Sequence, residues 1–202
     1  MEYGKGAALA PQIYGEVLLP CAKGIVPELE EEKVFEEYKN LILRNPDLGN
    51  EQDNPLLPGF YMAAYIIAFH KAYPNVIDGE SIGHMVDVLG ESELLRKLYA
   101  NKDFFDEKNI ESRAKMALEP DELYPENWKY EFRADPEKRQ CVINYRSCAI
   151  CNMCKREGCF EILKYICKID FVSQQLMGNT LVRTKTLAEG FDICDFVISS
   201  NE

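Results

Sequence analysis

The hydrophobic and polar positions of the chain fall into two stretches of different period. From Pro27 the run PELEEEKVFEEYKNLILRN sets Val34, Tyr38, Leu41 and Ile42 at helical spacing behind a cluster of acids, as a helix dipole and one buried face require. It predicts an amphipathic helix ending before Pro46, its acid run a solvated face. After the breaker-rich link NPDLGNEQDNPLLPG, the residues from Phe60 to Ala72 are apolar on nearly every side and predict a helix packed in the middle of the fold. Further helical stretches follow at IGHMVDVLG, SELLRKLYAN and NIESRAKMAL, so the first 120 residues read as mostly helical. Ahead of them, the opening residues carry Pro11, Pro20 and scattered glycines without a sustained period, and read as a loose lead-in.

The period changes at YPENW. Trp128, Tyr130 and Phe132 alternate with Lys129, Glu131 and Arg133, and after a turn at DPEKR the alternation resumes with Cys141, Ile143 and Tyr145. A period of two marks strands with one wet face, so residues 127 to 148 predict a β-hairpin. A short helix around AICNMCKRE, stopped by Gly158, comes next, then a longer one from Phe160 to about Met177. NTLVRTKTLAEGFDICDFVISS predicts a second hairpin turning at AEGF. The expected fold class is α+β: a helical N-terminal half followed by an antiparallel sheet of two hairpins with helices inserted between them. It is read as one domain over 1–202, mainly helical over 1–125, with the sheet and a central helix over 126–202.

Composition narrows the partners. Lys and Arg number 23 against 34 Asp and Glu, leaving a net charge of −11, which repels a phosphate backbone or an anionic lipid surface. No nucleic acid and no membrane are expected, and the expected partner is a small-molecule substrate, with a homo-oligomer left open. The longest apolar run, Phe60 to Phe69, is about half of the roughly 20 residues that cross a bilayer. MEYGKGAALAPQIYGE lacks the basic start and apolar run of a secretory signal. A cytoplasmic location is therefore expected, and the eight cysteines should be reduced thiols.

Cys148, Cys151, Cys154, Cys159 and Cys167 fall within twenty residues. Thiolates three apart evoke a zinc or iron–sulfur site, yet the spacing to Cys159 departs from a ferredoxin run and no second knuckle follows. On a helix the first three would drift around its circumference. Plain thiols are favoured over a bound metal or a nucleophile; no metal or cofactor is expected. In the longer predicted helix Phe160, Leu163, Cys167, Phe171 and Gln174 share one side, with Asp170 one turn after Cys167. Asp170 is either an exposed acid or a pocket carboxylate, and Glu161 near the helix start reads most simply as dipole compensation. Along the last hairpin Val182, Thr184 and Thr186 face one way, and Leu181, Arg183, Lys185 and Leu187 the other. The isolated histidines His70 and His84 leave a histidine triad without support, and no serine elbow, phosphate loop or dinucleotide fingerprint is present.

The tail TKTLAEGFDICDFVI, with the CxxC at Cys148 and the spacing to GCFEILKYICKID, resembles the L-2-amino-thiazoline-4-carboxylic acid hydrolase family. The matching elements are Cys148 after a strand, Glu161 with Ile162, Cys167 with Asp170, and Arg183 through Phe196; YPENW also fits, and the likeness covers roughly 125 to 199. Phe191 stands where the family usually has aspartate, and Ile193 where it has tyrosine. The resemblance implies hydrolysis of a thiazoline or cyclic amidine-like carboxylate, opening the ring toward a cysteine derivative. Attack would come from a Cys148 or Cys167 thiolate, or from water activated by Asp170 or Glu161. Arg183 or Lys185 would hold the substrate carboxylate, and Thr184 or Thr186 the ring nitrogen. The closing hairpin is also similar to that of the 4-vinyl reductase type of domain, whose members enclose an apolar pocket and in some cases bind zinc through cysteines. That likeness supplies the alternative of a non-catalytic binding or sensor module. Both readings expect an enclosed void between the terminal hairpin and the central helix.

Overall fold

The computed structural model describes residues 1–201. Six helices come first: α1 (Lys5–Ile25), α2 (Glu31–Arg44), α3 (Leu57–Ala72), α4 (Gly79–Glu91), α5 (Glu93–Tyr99) and α6 (Glu107–Ala117). The strands β1 (Lys129–Asp135) and β2 (Gln140–Ser147) follow, then α7 (Ala149–Glu157), a 3-10 turn (Phe160–Ile162), α8 (Leu163–Ile166), α9 (Ile169–Leu176), β3 (Asn179–Arg183), a second 3-10 turn (Leu187–Glu189) and β4 (Cys194–Ser200). The four strands form an antiparallel sheet in the order β1-β2-β4-β3. The α+β class holds, and one cluster of buried apolar side chains runs through both halves. No helix among the described residues is long and apolar enough to cross a membrane.

α3 is the hub of the helical half, with Phe60, Ile66, Ile67 and Phe69 all fully buried, as its unbroken apolar run requires. The opening residues depart from the expected loose lead-in, since they form the 21-residue α1 with Pro11 and Pro20 inside it. Ala7, Ala10, Tyr14, Leu18 and Ala22 recur every three or four residues and are buried, so the stripe packs despite two residues that break helices in isolation. Pro11 has no N–H to give to the carbonyl one turn back, that of Ala7. Tyr38 on α2 supplies the missing donor, its buried hydroxyl reaching Ala7 O at 2.6 Å. Tyr38→Phe should therefore lower stability by about 1–3 kcal/mol, because it strands a buried carbonyl. Denaturant unfolding followed by circular dichroism checks this, and an unchanged midpoint would refute it.

The hairpin over 127 to 148 forms, with Tyr130, Cys141, Ile143 and Tyr145 on the buried face as the alternation predicts; Lys129, expected on the wet face, is buried where the register shifts between Lys129 and Tyr130, its Nζ donating to Pro120 O at 3.3 Å. Two further expectations for the second half need correction. The long helix from Phe160 is broken into three pieces, with the i→i−4 ladder interrupted at Cys167 and Lys168. There Lys168 N–H reaches back only to Tyr165 O and Phe171 N–H to Lys168 O, which leaves the Cys167 carbonyl without a helical donor. Arg183 supplies one, its Nη1 donating to Cys167 O at 3.1 Å. The strand through RTKT ends at Arg183 because the Asp195 carboxylate accepts from the backbone N–H groups of Thr184 and Lys185 and from Thr184 Oγ1. The period of two stops there, and Thr186 instead caps the 3-10 turn by accepting from Glu189 N–H.

Candidate active site

A cavity of about 560 Å3 lies between the inner face of the sheet, the start of α3, α6 and the α8–α9 break. Its volume falls within the range of sites that enclose small molecules. Cys148, Cys167, Asp170 and Cys194 all lie in its wall. Each arrives by a different route. Cys148 ends the hairpin in extended conformation and stands at the N-cap of α7. Cys167 and Asp170 flank the helix break, which turns both toward the same space. Cys194 starts β4 opposite Tyr145 of β2, so thiol and phenol project on the same face of the sheet.

The electrostatics of these groups differ. Burial pushes the Cys148 thiol up to about 12, against the pull of the Cys151 amide. Burial, reinforced by the Asp170 charge, raises Cys167 further. Cys194 is also raised by burial, although Leu187 N–H donates to its sulfur at 3.2 Å. All three are therefore thiols, not thiolates, at neutral pH. Asp170 is raised by the same burial to about 6, although Arg183 works in the other direction. Arg183 Nη1 donates to Asp170 Oδ2 at 2.6 Å, and 36% of the Asp170 side chain remains open to the cavity. Among these four wall groups Asp170 is the one whose proton exchanges near neutrality.

Two wall residues that the pattern of the chain did not single out complete the arrangement. Arg113 on α6 faces the cavity, with its guanidinium over the Phe104 ring at 4.7 Å and Nε donating to Asn109 Oδ1 at 3.3 Å. It forms no ion pair with a described residue. Tyr145 is buried between Tyr130 and Phe196, with ring centroids at 5.0 and 5.1 Å. Its hydroxyl has no hydrogen-bond partner among the described residues. Burial pushes this phenol up, with the Arg113 charge opposing the shift and the Asp170 charge adding to it. Cation, phenol, acid and thiol thus lie in one connected region.

The remaining expected site residues lie elsewhere. Glu161 is outside the cavity wall, on the 3-10 turn, its carboxylate 68% exposed and 3.7 Å from His70 Nε2. Thr184 and Lys185 are exposed and held to Asp195, and Thr186 is buried as the cap of its turn. Arg183 touches the site only through Asp170: its side chain is 8% exposed, lies outside the cavity wall and packs over Phe171 and Phe196 at 4.7 and 5.4 Å, with Nη1 shared by the Asp170 carboxylate and the Cys167 carbonyl. The dense cysteines do not converge, and no three His, Cys, Asp or Glu side chains among the described residues are grouped to hold a metal ion. Cys154 and Cys159 instead pair with each other in the core beneath α7, away from the cavity wall. Arg113 gave no signal in the sequence, since one basic residue in NIESRAKMAL reads as solvated; only the docking of α6 on β1 turns it inward, with Tyr130 Oη donating to Arg113 O at 2.9 Å.

Compared with known proteins, the family model described as L-2-amino-thiazoline-4-carboxylic acid hydrolase matches residues 61–198. That span runs from within α3 to within β4 and includes Arg113, Tyr145, Cys148, Cys167, Asp170 and Cys194. No curated protein matches the chain.

Proposed function

The chain belongs to the L-2-amino-thiazoline-4-carboxylic acid hydrolase family, and from that premise we propose that it hydrolyses a thiazoline or cyclic amidine-like carboxylate at the cavity lined by Asp170. The ring carbon between nitrogen and sulfur is electrophilic, most so when the nitrogen is protonated. Water adds its oxygen there while Asp170 takes the proton; the carbon–sulfur bond then breaks and the returned proton leaves a free thiol on a carbamoyl cysteine derivative. One water is consumed, and no redox partner is needed. Arg113 is the cation suited to the substrate carboxylate, because Arg183 is occupied by Asp170, Lys185 lies in solvent, and Lys102, the other cation of the wall, is exposed with its Nζ over the Tyr99 ring. Tyr145 offers an unused hydroxyl to the ring or to the oxygen that develops on its carbon.

The observation that carries this reading is that one cavity wall holds Asp170, clamped by Arg183 at 2.6 Å, together with the buried Cys148 and Cys167 thiols; burial raises the carboxyl only to about 6 and both thiols well above neutrality. With burial holding Cys148 as a thiol, its thiolate is scarce at neutral pH beside water activated by a carboxylate already ionised. Cys148→Ala and Cys167→Ala should therefore each retain thiol release from L-2-amino-thiazoline-4-carboxylate within about tenfold, an ordinary effect of altered packing around the substrate. Loss of turnover in Cys148→Ala, with a covalent adduct on Cys148 detected by mass spectrometry in the unaltered protein, would replace the water mechanism by a thiol nucleophile. Thermal stabilisation by the substrate without any thiol release would instead make this a binding module.

A further inference from the structure

The cavity is larger than the ring in the family's name. L-2-Amino-thiazoline-4-carboxylate has about nine non-hydrogen atoms, which at close packing fill on the order of 150 Å3. The cavity holds about 560 Å3. A ring seated between Arg113 and Asp170 leaves most of that space unfilled. The wall on the side of α3 is apolar: Leu56 stands at its N-cap, Met62 lies in its second turn and Trp128 is the residue before β1; Phe104 comes from the connection ahead of α6, where the polar Lys102, Asp103 and Asp106 also reach the cavity. Trp128 is set edge-on against Phe60 at 6.2 Å, and Phe104 lies under the Arg113 guanidinium, so neither ring is free to collapse inward. At Gly59, in the same wall, an added Cβ would meet nothing within 4 Å. Apolar walls of this kind give ordered water few of the two to four polar partners that hold it.

Resting on the hydrolase reading of the same cavity, we infer that the substrate is a cyclic amidine carboxylate bearing a bulky apolar or aromatic substituent, which lies against Trp128, Met62 and Leu56. The substituent supplies binding area remote from the reacting carbon, while carboxylate and ring keep the contacts already assigned. The test compares L-2-amino-thiazoline-4-carboxylate with its 2-benzylamino analogue on the full chain, with affinity measured by calorimetry and ring opening by thiol release. The analogue should bind at least about tenfold more tightly, as expected for burial of a phenyl ring. Gly59→Leu, which narrows the α3 side without steric conflict at the backbone, should remove that advantage and leave the parent compound within about twofold of its original affinity. Equal or weaker binding of the analogue overturns the inference, as does an advantage that survives Gly59→Leu. If neither compound releases thiol, the hydrolase reading fails while the two affinities still decide the size of the ligand.

Discussion

Asp170→Asn should slow thiol release from the thiazoline acid on the order of 10²–10⁴-fold, the usual contribution of a positioned general base. Asparagine keeps the shape of the side chain and an oxygen for the Arg183 Nη1 donor, which now sits 2.6 Å from Asp170 Oδ2, so the α8–α9 break stays clamped. What it loses is the ability to take a proton. The pH profile gives the second part of the test. Burial raises Asp170 from 3.8 to about 6, and the reactive form is the carboxylate. The kcat/KM of the unaltered protein should therefore climb with pH, reach half of its plateau near 6 and fall about tenfold per unit below that. The residual activity of Asp170→Asn should lack this limb. The same shift has a sign for stability: the folded state holds this proton more tightly than the unfolded chain does, so the contribution of Asp170 becomes less favourable as pH rises from near 4 to about 6 and is constant above. Turnover and an acid limb both intact in Asp170→Asn would remove the carboxyl from the mechanism.

Arg113→Met should raise KM by roughly 10- to 150-fold with a smaller change in kcat, because a hydrogen bond between charged groups contributes about 1.5–3 kcal/mol. Methionine is unbranched and long enough to cover the Phe104 ring that the guanidinium now overlies, so the loss falls on the charge. A substrate analogue with a neutral amide in place of the carboxylate separates recognition from folding. It should bind the unaltered protein as weakly as the acid binds the variant, and lose little more in Arg113→Met. Lys185→Met, altering an exposed side chain outside the cavity, should leave KM unchanged. A KM that follows Lys185 and ignores Arg113 would return the carboxylate to the terminal hairpin.

Arg183 shows how a motif can be legible while its role is not. The run from Arg183 to Phe196 marks the family, and alternation assigns Arg183 to the same strand face as buried Leu181. Its partners are the Asp170 carboxylate and the Cys167 carbonyl, and the carbonyl is free only because the preceding helix breaks between α8 and α9. That break has no proline or glycine to announce it in KYICKIDFV. Thr184, Lys185 and Thr186 extend the same pattern but serve the turn, since Asp195 and Glu189 compete for their donors more effectively than a neighbouring strand could. Pro11 is the opposite case, a local helix breaker overruled by a distant hydroxyl that takes over its lost hydrogen bond.

The order of hydrophobic positions by itself determined the helical first half, the buried faces of α2 and α3, the β1–β2 hairpin and the antiparallel character of the second half, because burial of a stripe or an alternate face depends on spacing within one element. It also held the family signature and brought forward Cys148, Cys167 and Asp170. Tertiary structure alone decided that these three share a cavity with Cys194, that Arg183 is tied to Asp170 and Cys167, that Arg113 enters the wall without an ion-pair partner among the described residues, and that Glu161 stands outside. Those outcomes depend on which elements meet and on how much water each charge keeps. Proton affinity and free hydrogen-bonding capacity are set by neighbours from remote parts of the chain, which no local period records.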